Sequence, residues 1–159
     1  MIRPVTLQDA KVIAEIYNYY ILHSVATFEV DVLSEMDVKN RLKAHDPDYP
    51  WIVLEDNGVQ GYAYATRWKA RAAYKHSVEI SVYIRNGSHG KGYGSQLYGT
   101  LLDILKAMDI HAVLGGISLP NDTSIRLHEK FGFQKVAHLK EVGFKQGAWR
   151  DVGYWELIL

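Results

Sequence analysis

Arg85-Asn86-Gly87-Ser88-His89-Gly90-Lys91-Gly92-Tyr93-Gly94-Ser95 places glycines at 87, 90, 92 and 94 between a strand-like run and a helix-like run. Glycine reaches positive φ without a Cβ penalty, so this stretch can turn its N–H groups inward. The helix behind it adds about half a positive charge at its N-terminus. Together these make an anion site suited to phosphate or pyrophosphate. The same residues also read as a plain turn with a helix cap. Two common phosphate signatures are excluded. Lys91 precedes Gly92 rather than Ser or Thr, and Gly90-Lys91-Gly92-Tyr93-Gly94 is spaced G-x-G-x-G, not G-x-G-x-x-G.

Other side chains can move protons or hold charge. Glu79 lies just upstream of the turn, on the strand face opposite Val78, Ile80 and Val82. Partly desolvated there, a carboxylate can accept a proton; solvated, it would pair with Lys75 or Arg85. His128 brings an imidazole whose ordinary pKa of about 6.5 suits proton delivery at neutral pH. A helix-surface histidine, or one bonding a neighbouring carbonyl, looks the same in sequence. Lys69 and Arg71, with Tyr74, form a short basic segment able to grip a carboxylate, or a solvated loop. Asn121 reads first as the cap of a short helix through Ser124. His128-Glu129 is no zinc motif, because H-E-x-x-H would need histidine where Gly132 stands. We therefore expect no metal.

The elements that hold these residues follow from periodicity and punctuation. Thr6 to Asp9 signals a helix start, and Ala10, Ile13, Ala14, Tyr17 and Ile21 recur at helical spacing to about residue 22. Ser34 to Asp37 repeats the signal before a second helix ending near Ala44. Trp51–Leu54 and Val59–Trp68 flank Asn57-Gly58, a strong hairpin signal. Ser77–Ile84 alternates cleanly as a strand. A helix through Leu97, Leu101, Leu102 and Leu105 follows the glycine turn, then a strand over His111–Ser118. A short helix stops at Gly132. Two further strand-like runs divide near Gln146-Gly147. The order is β-α-α-β-β-β-α-β-α-β-β, an α/β or mixed α+β chain on a largely antiparallel sheet, with a parallel crossover within residues 77–131. No linker or repeat divides residues 1–159, which we expect to form one domain.

Composition closes off several classes. Eighteen Lys plus Arg balance eighteen Asp plus Glu, so the chain lacks the positive field of a nucleic-acid-binding module. There is no cysteine, which excludes disulfides, thiolate metal sites and cysteine nucleophiles. No apolar run reaches membrane-spanning length and the start lacks a signal-like segment, so a soluble, cytoplasmic protein without membrane partners is expected. The sequons at Asn86 and Asn121 are then accidental.

Strand Val78–Ile84 followed by His89-Gly90-Lys91-Gly92-Tyr93-Gly94 resembles the pyrophosphate loop of the GCN5-related N-acetyltransferase (GNAT) superfamily, whose pattern is Q/R-x-x-G-x-G/A. His89 stands where Gln or Arg is usual. Trp68–Tyr74, Val78–Tyr83, Leu119-Pro120-Asn121, Leu127–Phe133, Val142–Lys145 and Trp149–Val152 are similar to the phosphinothricin acetyltransferase branch, in the same order over nearly the whole chain.

The resemblance implies the GNAT fold, acetyl-CoA as cosubstrate, and direct acetyl transfer to the primary amine of a small anionic amino acid or analogue, of phosphinothricin or methionine sulfone/sulfoximine type. It implies Glu79 as general base and His128 as general acid for the departing thiolate. For the cofactor it points to the backbone of Val82, Tyr83 and Ile84, often freed in relatives by a bulge, to His89, Gly90, Lys91, Gly92, Tyr93, Gly94 and Ser95 at the pyrophosphate, and to Asn121. For the acceptor it points to Lys69, Arg71, Tyr74 and the aromatic Phe28; Glu29 stands where that branch can carry Arg. A homodimer is implied too. The alternatives are a non-catalytic acyl-CoA sensor, which would need neither Glu79 nor His128, and an acetyltransferase for an unrelated small amine.

Overall fold

A computed structural model describes residues 1–159. Strand β1 (Ile2–Pro4) leads to a capping box in which the Asp9 carboxylate accepts from the Thr6 N–H. One 3-10 turn, Leu7–Asp9, then feeds helix α1 (Ala10–His23). The expected helix from residue 7 thus begins with a tighter turn. A second box opens α2 (Glu35–Ala44): Ser34 Oγ accepts from the Asp37 N–H at 3.0 Å, and Asp37 accepts from the Ser34 N–H at 2.9 Å. Strands β2 (Trp51–Glu55) and β3 (Val59–Arg67) join through Asn57 and Gly58, both at positive φ (54° and 99°), the backbone a two-residue hairpin demands.

The remaining order is β4 (Ser77–Ile84), α3 (Tyr93–Ala107), β5 (Ala112–Ser118), α4 (Asp122–Lys130), β6 (Gln134–Lys145) and β7 (Ala148–Ile158). It reproduces the expected sequence of elements. Gln146 and Gly147 turn the last hairpin, again both at positive φ.

Seven strands form one mixed sheet in the order β1-β2-β3-β4-β5-β7-β6. Every pairing is antiparallel except β4 with β5, joined by the α3 crossover. Alternation along the strands divides the apolar residues between two faces. Ile52, Leu54, Ala63, Ala65, Val78 and Ile80 pack with Leu97, Leu101 and Leu105 of α3. Val53, Val59 and Tyr62 pack with Ile13 and Ile16 of α1 and Val38 of α2 on the opposite face. No helix is long and apolar enough to cross a membrane.

Candidate active site

The only parallel pair in the sheet is also the shortest ladder beside its centre. β4 and β5 pair at Ser77↔Ala112, Val78↔Val113 and Glu79↔Leu114, and the ladder then stops. Beyond Glu79 the strands diverge, and a cleft of about 460 Å³ fills the wedge. Ile80 to Ile84 form one wall and Gly116 to Ser118 the other; α4 supplies Asn121, Ser124 and His128, and the end of α1 supplies Tyr20. Val82, Tyr83 and Ile84, expected at a cofactor, line this space. No bulge frees them, since β3 pairs with β4 without a register shift from Gly61↔Ile84 to Arg67↔Val78. The splay itself exposes the strand.

The glycine turn caps the wide end. Gly87, Gly90 and Gly92 have φ of 86°, 78° and 79°, and a Cβ at any of them would meet nothing within 4 Å. Backbone angle, and not space, requires glycine there. Gly92 is the N-cap of α3. Gly94 departs from the reading that all four glycines serve the turn: it lies inside α3, where a Cβ would meet Leu127 at 3.5 Å, an ordinary contact, so neither backbone angle nor space demands glycine there. The Tyr93 side chain is turned away from the loop and donates to Asp56, leaving only its backbone for an anion. Ser95 Oγ accepts from Lys130, and Lys91 is exposed. His89 is exposed as well, with Nε2 3.2 Å from the Tyr20 hydroxyl, which also donates to the Ile84 carbonyl.

Glu79 is the last rung before the split. It is half-buried and makes no ion pair; Arg85 instead donates to the Val59 carbonyl and faces Glu15 at 3.9 Å. Burial raises the Glu79 carboxyl pKa, opposed by the nearby charge of Lys69.

His128 is 3 % exposed. Its Nδ1 lies 2.7 Å from the Ser124 carbonyl, which can only accept, so the ring proton resides on Nδ1. Nε2 then accepts from the Tyr98 hydroxyl at 3.0 Å. Burial lowers the imidazole pKa despite the Ser124 bond, and the ring is neutral at physiological pH. An imidazole titrating near neutrality and lending its own proton, as expected from sequence, is therefore corrected: its single N–H is spent on a carbonyl. Tyr98, fully buried and held protonated by desolvation, lines the cleft with its one O–H turned to His128 Nε2.

Gly115 and Gly116 of β5 admit these two groups. A Cβ on Gly115 would stand 2.4 Å from His128 Nε2, and one on Gly116 2.9 Å from Glu79 Oε1. Sequence reasoning missed both, together with Tyr98, Ser124 and Tyr20. Paired glycines inside an apolar strand were the available signal, because they mark close approach.

Asn121 caps α4 by accepting from the Ser124 N–H at 3.1 Å and also faces the cleft. Lys69, Arg71 and Tyr74 sit on the β3–β4 connection, exposed, with no side-chain hydrogen bond or ion pair. The Lys69 ammonium lies 4.9 Å over the Trp68 ring, which packs edge-on against Tyr154. Phe28 packs against Gly143 of β6, where a Cβ would fall 2.3 Å from its ring, and is not among the residues lining the cleft. Glu29 is bound by both Arg41 amino groups and by the Tyr17 hydroxyl, and Arg41 holds its carboxyl below the usual carboxylate range. Its charge is answered within the fold. No group of three His, Asp or Glu side chains is placed to hold a metal ion.

Residues 2–153 match the family described as "Acetyltransferase (GNAT) domain". The chain is 40 % identical over 156 residues to phosphinothricin N-acetyltransferase of Streptomyces viridochromogenes, covering 98 % of this chain and 85 % of that one. It is 36 % identical to L-methionine sulfoximine/L-methionine sulfone acetyltransferase of Salmonella typhimurium, covering 95 % and 90 %. A GNAT superfamily phosphinothricin acetyltransferase from Sinorhizobium meliloti, solved in complex with AcCoA, superposes with a TM-score of 0.96 at 33 % identity, covering 100 % of this chain and 88 % of that one.

Proposed function

Since the chain belongs to the GNAT acetyltransferase family, we propose that it transfers the acetyl group of acetyl-CoA to the primary amine of a small anionic amino acid or analogue. One observation carries the reading. Glu79, with its raised pKa, and the Tyr98–His128 pair meet β5 at adjacent glycines, where the sheet opens into the cleft. A binding module has no need of that arrangement.

The donor fits the residues present. Positive-φ glycines and the α3 N-terminus suit a pyrophosphate, and the unpaired edge of β4 along Val82 to Ile84 suits a pantetheine arm. The amine nitrogen attacks the thioester carbonyl, the new C–N bond forms and the C–S bond breaks. Of the two protons the ammonium sheds, one passes to Glu79 and on to solvent, and the other ends on sulfur. We assign stabilisation of the departing thiolate to the Tyr98 hydroxyl, whose one O–H rotates from His128 Nε2 to the sulfur as the C–S bond breaks. Arg71 and Lys69, neither of them in an ion pair, hold the acceptor's anionic group, with Tyr74 adding a hydrogen bond. Relatives named for phosphinothricin and methionine sulfoximine or sulfone support an amino acid of that size.

Residues 1–159 act in this reading as one domain, and the active form is a homodimer. Val142, Phe144 and Trp149 of the β6–β7 hairpin are 56 %, 59 % and 63 % exposed, a concentration of apolar surface that suits an interface. Sedimentation showing only an 18 kDa species at micromolar concentration would exclude the dimer.

A thiol-release assay with acetyl-CoA tests the activity. Phosphinothricin, methionine sulfone, methionine sulfoximine and the common amino acids are offered in turn, and at least one is expected to release CoA. Binding of CoA without release by any of them would leave the sensor reading.

A further inference from the structure

Lys145, the last residue of β6, is 6 % exposed and forms no ion pair. Its ammonium donates to the Thr27 carbonyl at 2.8 Å and reaches the Tyr20 carbonyl at 3.4 Å. Tyr20 lies in the final turn of α1, where its carbonyl already accepts from the Ser24 N–H. A cation from the far end of the chain thus joins the C-terminal pole of α1, the end where positive charge is favoured. Burial lowers the Lys145 pKa and nearby Glu29 opposes the shift. An ammonium stays buried at a cost only where fixed dipoles answer it, and those dipoles are then fixed in turn.

Both carbonyls belong to residues that lead into the cleft. The Tyr20 hydroxyl donates to the Ile84 carbonyl at the end of β4 and lies 3.2 Å from His89 Nε2 at the start of the glycine turn. Ser24, Val25 and Ala26, between the two carbonyls, line the cleft themselves. Thr27 immediately precedes Phe28, whose ring is seated on Gly143, two residues before Lys145. The β6 strand therefore holds residues 20–28 at two points, by the Lys145 ammonium and by Gly143, on which the Phe28 ring sits.

We propose that Lys145 is a positioning residue for the cofactor: it fixes the last turn of α1 and the connection after it, so that Tyr20 stands over the phosphate end of the cleft and Ser24 to Ala26 along its wall. This rests on the reading of the cleft as an acyl-CoA site. Lys145 itself touches neither substrate. Its role is seen in affinity for CoA, through the Tyr20 hydroxyl and the wall at Ser24 to Ala26.

Three variants test it by calorimetric titration with CoA and by steady-state kinetics. Lys145→Met is expected to weaken CoA binding and raise the KM for acetyl-CoA about tenfold, with kcat and the acceptor KM within about threefold of wild type. Lys145→Arg keeps a cation within reach of the carbonyls and restores most of the loss. Tyr20→Phe removes only the hydroxyl link and weakens CoA binding alone, leaving the acceptor KM unchanged. Combining Lys145→Met with Tyr20→Phe then costs less in CoA affinity than the product of the two, because both cut the same link. Wild-type affinities in Lys145→Met, a loss confined to kcat, or multiplicative effects in the double variant overturn the proposal. If Lys145→Met fails to fold, unchanged CoA affinity in Tyr20→Phe overturns it. Wild-type protein that binds no CoA would instead refute the acyl-CoA reading itself.

Discussion

The Tyr98 hydroxyl lies 3.0 Å from His128 Nε2 inside the wall of the cleft. Burial keeps the ring neutral despite the Ser124 carbonyl on Nδ1, and the same cause raises the pKa of Glu79 across β5. Glu79 accepts a proton only when ionised, so kcat/KM falls as pH drops through that raised value, above the ordinary carboxylate range of about 4.3. Glu79→Gln is expected to lose about 10²–10⁴-fold in kcat/KM and to lose the acid limb with it. Rate–pH profiles of both forms check this. Wild-type rates in Glu79→Gln across pH 6–9 would remove Glu79 from the mechanism.

The glycines of β5 separate the two halves of the site. Gly116→Ala drives a methyl against Glu79 Oε1 at 2.9 Å, the movable end of a side chain, and brings it within 3.2 Å of the Tyr154 ring, which must give by a few tenths of an ångström. We expect a lower kcat with the fold intact. Gly115→Ala meets the buried His128 ring at 2.4 Å, a group with nowhere to retreat. That variant should lose both activity and stability, the latter by about 1–3 kcal/mol. Thermal unfolding beside kcat measurement distinguishes them, and equal stability losses would contradict the assignment.

At the glycine turn, Gly92→Val places a branched residue at φ 79° in open space. The cost falls on the backbone that would cradle a pyrophosphate, so the KM for acetyl-CoA rises strongly. His89→Arg restores the commoner family residue and should leave CoA affinity equal or tighter. Unchanged CoA affinity in Gly92→Val would locate the phosphate elsewhere.

Arg71 is exposed and free of partners, so its removal disturbs little of the fold. Arg71→Ala should raise the KM for an anionic amino acid at least tenfold, about 1.4 kcal/mol, while an uncharged amine of similar size changes little. Equal weakening of both acceptors would make the basic segment structural only.

Away from the site, Asp9 accepts two hydrogen bonds from Arg3 and one from the Thr6 N–H. Arg3 is the main reason its carboxyl pKa is lowered. Stability from this group is present above the unfolded value of 3.8 and is lost as pH falls through the lower folded value. Asp9→Asn should cost about 2 kcal/mol at pH 7, with the gap from wild type closing below that range. Urea melts across pH 2.5–7 read it, and a gap independent of pH would deny Asp9 this role.

The order of elements was legible because its signals are local. Two capping boxes, Asn57-Gly58 and the alternation of β4 each occupy a few adjacent residues. Glu79 was legible for the same reason, lying on a clean strand just before a glycine turn. What escaped reading was long-range. The wedge depends on where the β4–β5 ladder ends, and nothing within β4 records that. Tyr98 and His128 are thirty residues apart, and Lys145 lies 118 residues from Thr27. The charge of His128 depends on burial, and that of Glu29 on Arg41; neither is written in the residue itself.

Three rungs join β4 to β5, whereas β3 and β4 share seven and β5 and β7 share seven. The sheet is thus two well-laddered panels, β2 to β4 and β5 to β7, meeting along a short seam whose open end is the cleft. A ligand bridging Val82–Ile84 and Asn121 would span that seam and act as a cross-brace. Because it binds the folded panels and not the unfolded chain, acetyl-CoA at a hundred times its Kd should add about 2.7 kcal/mol to stability. Amide exchange should slow most at Ser77 to Glu79 and Ala112 to Leu114, where the panels otherwise part first.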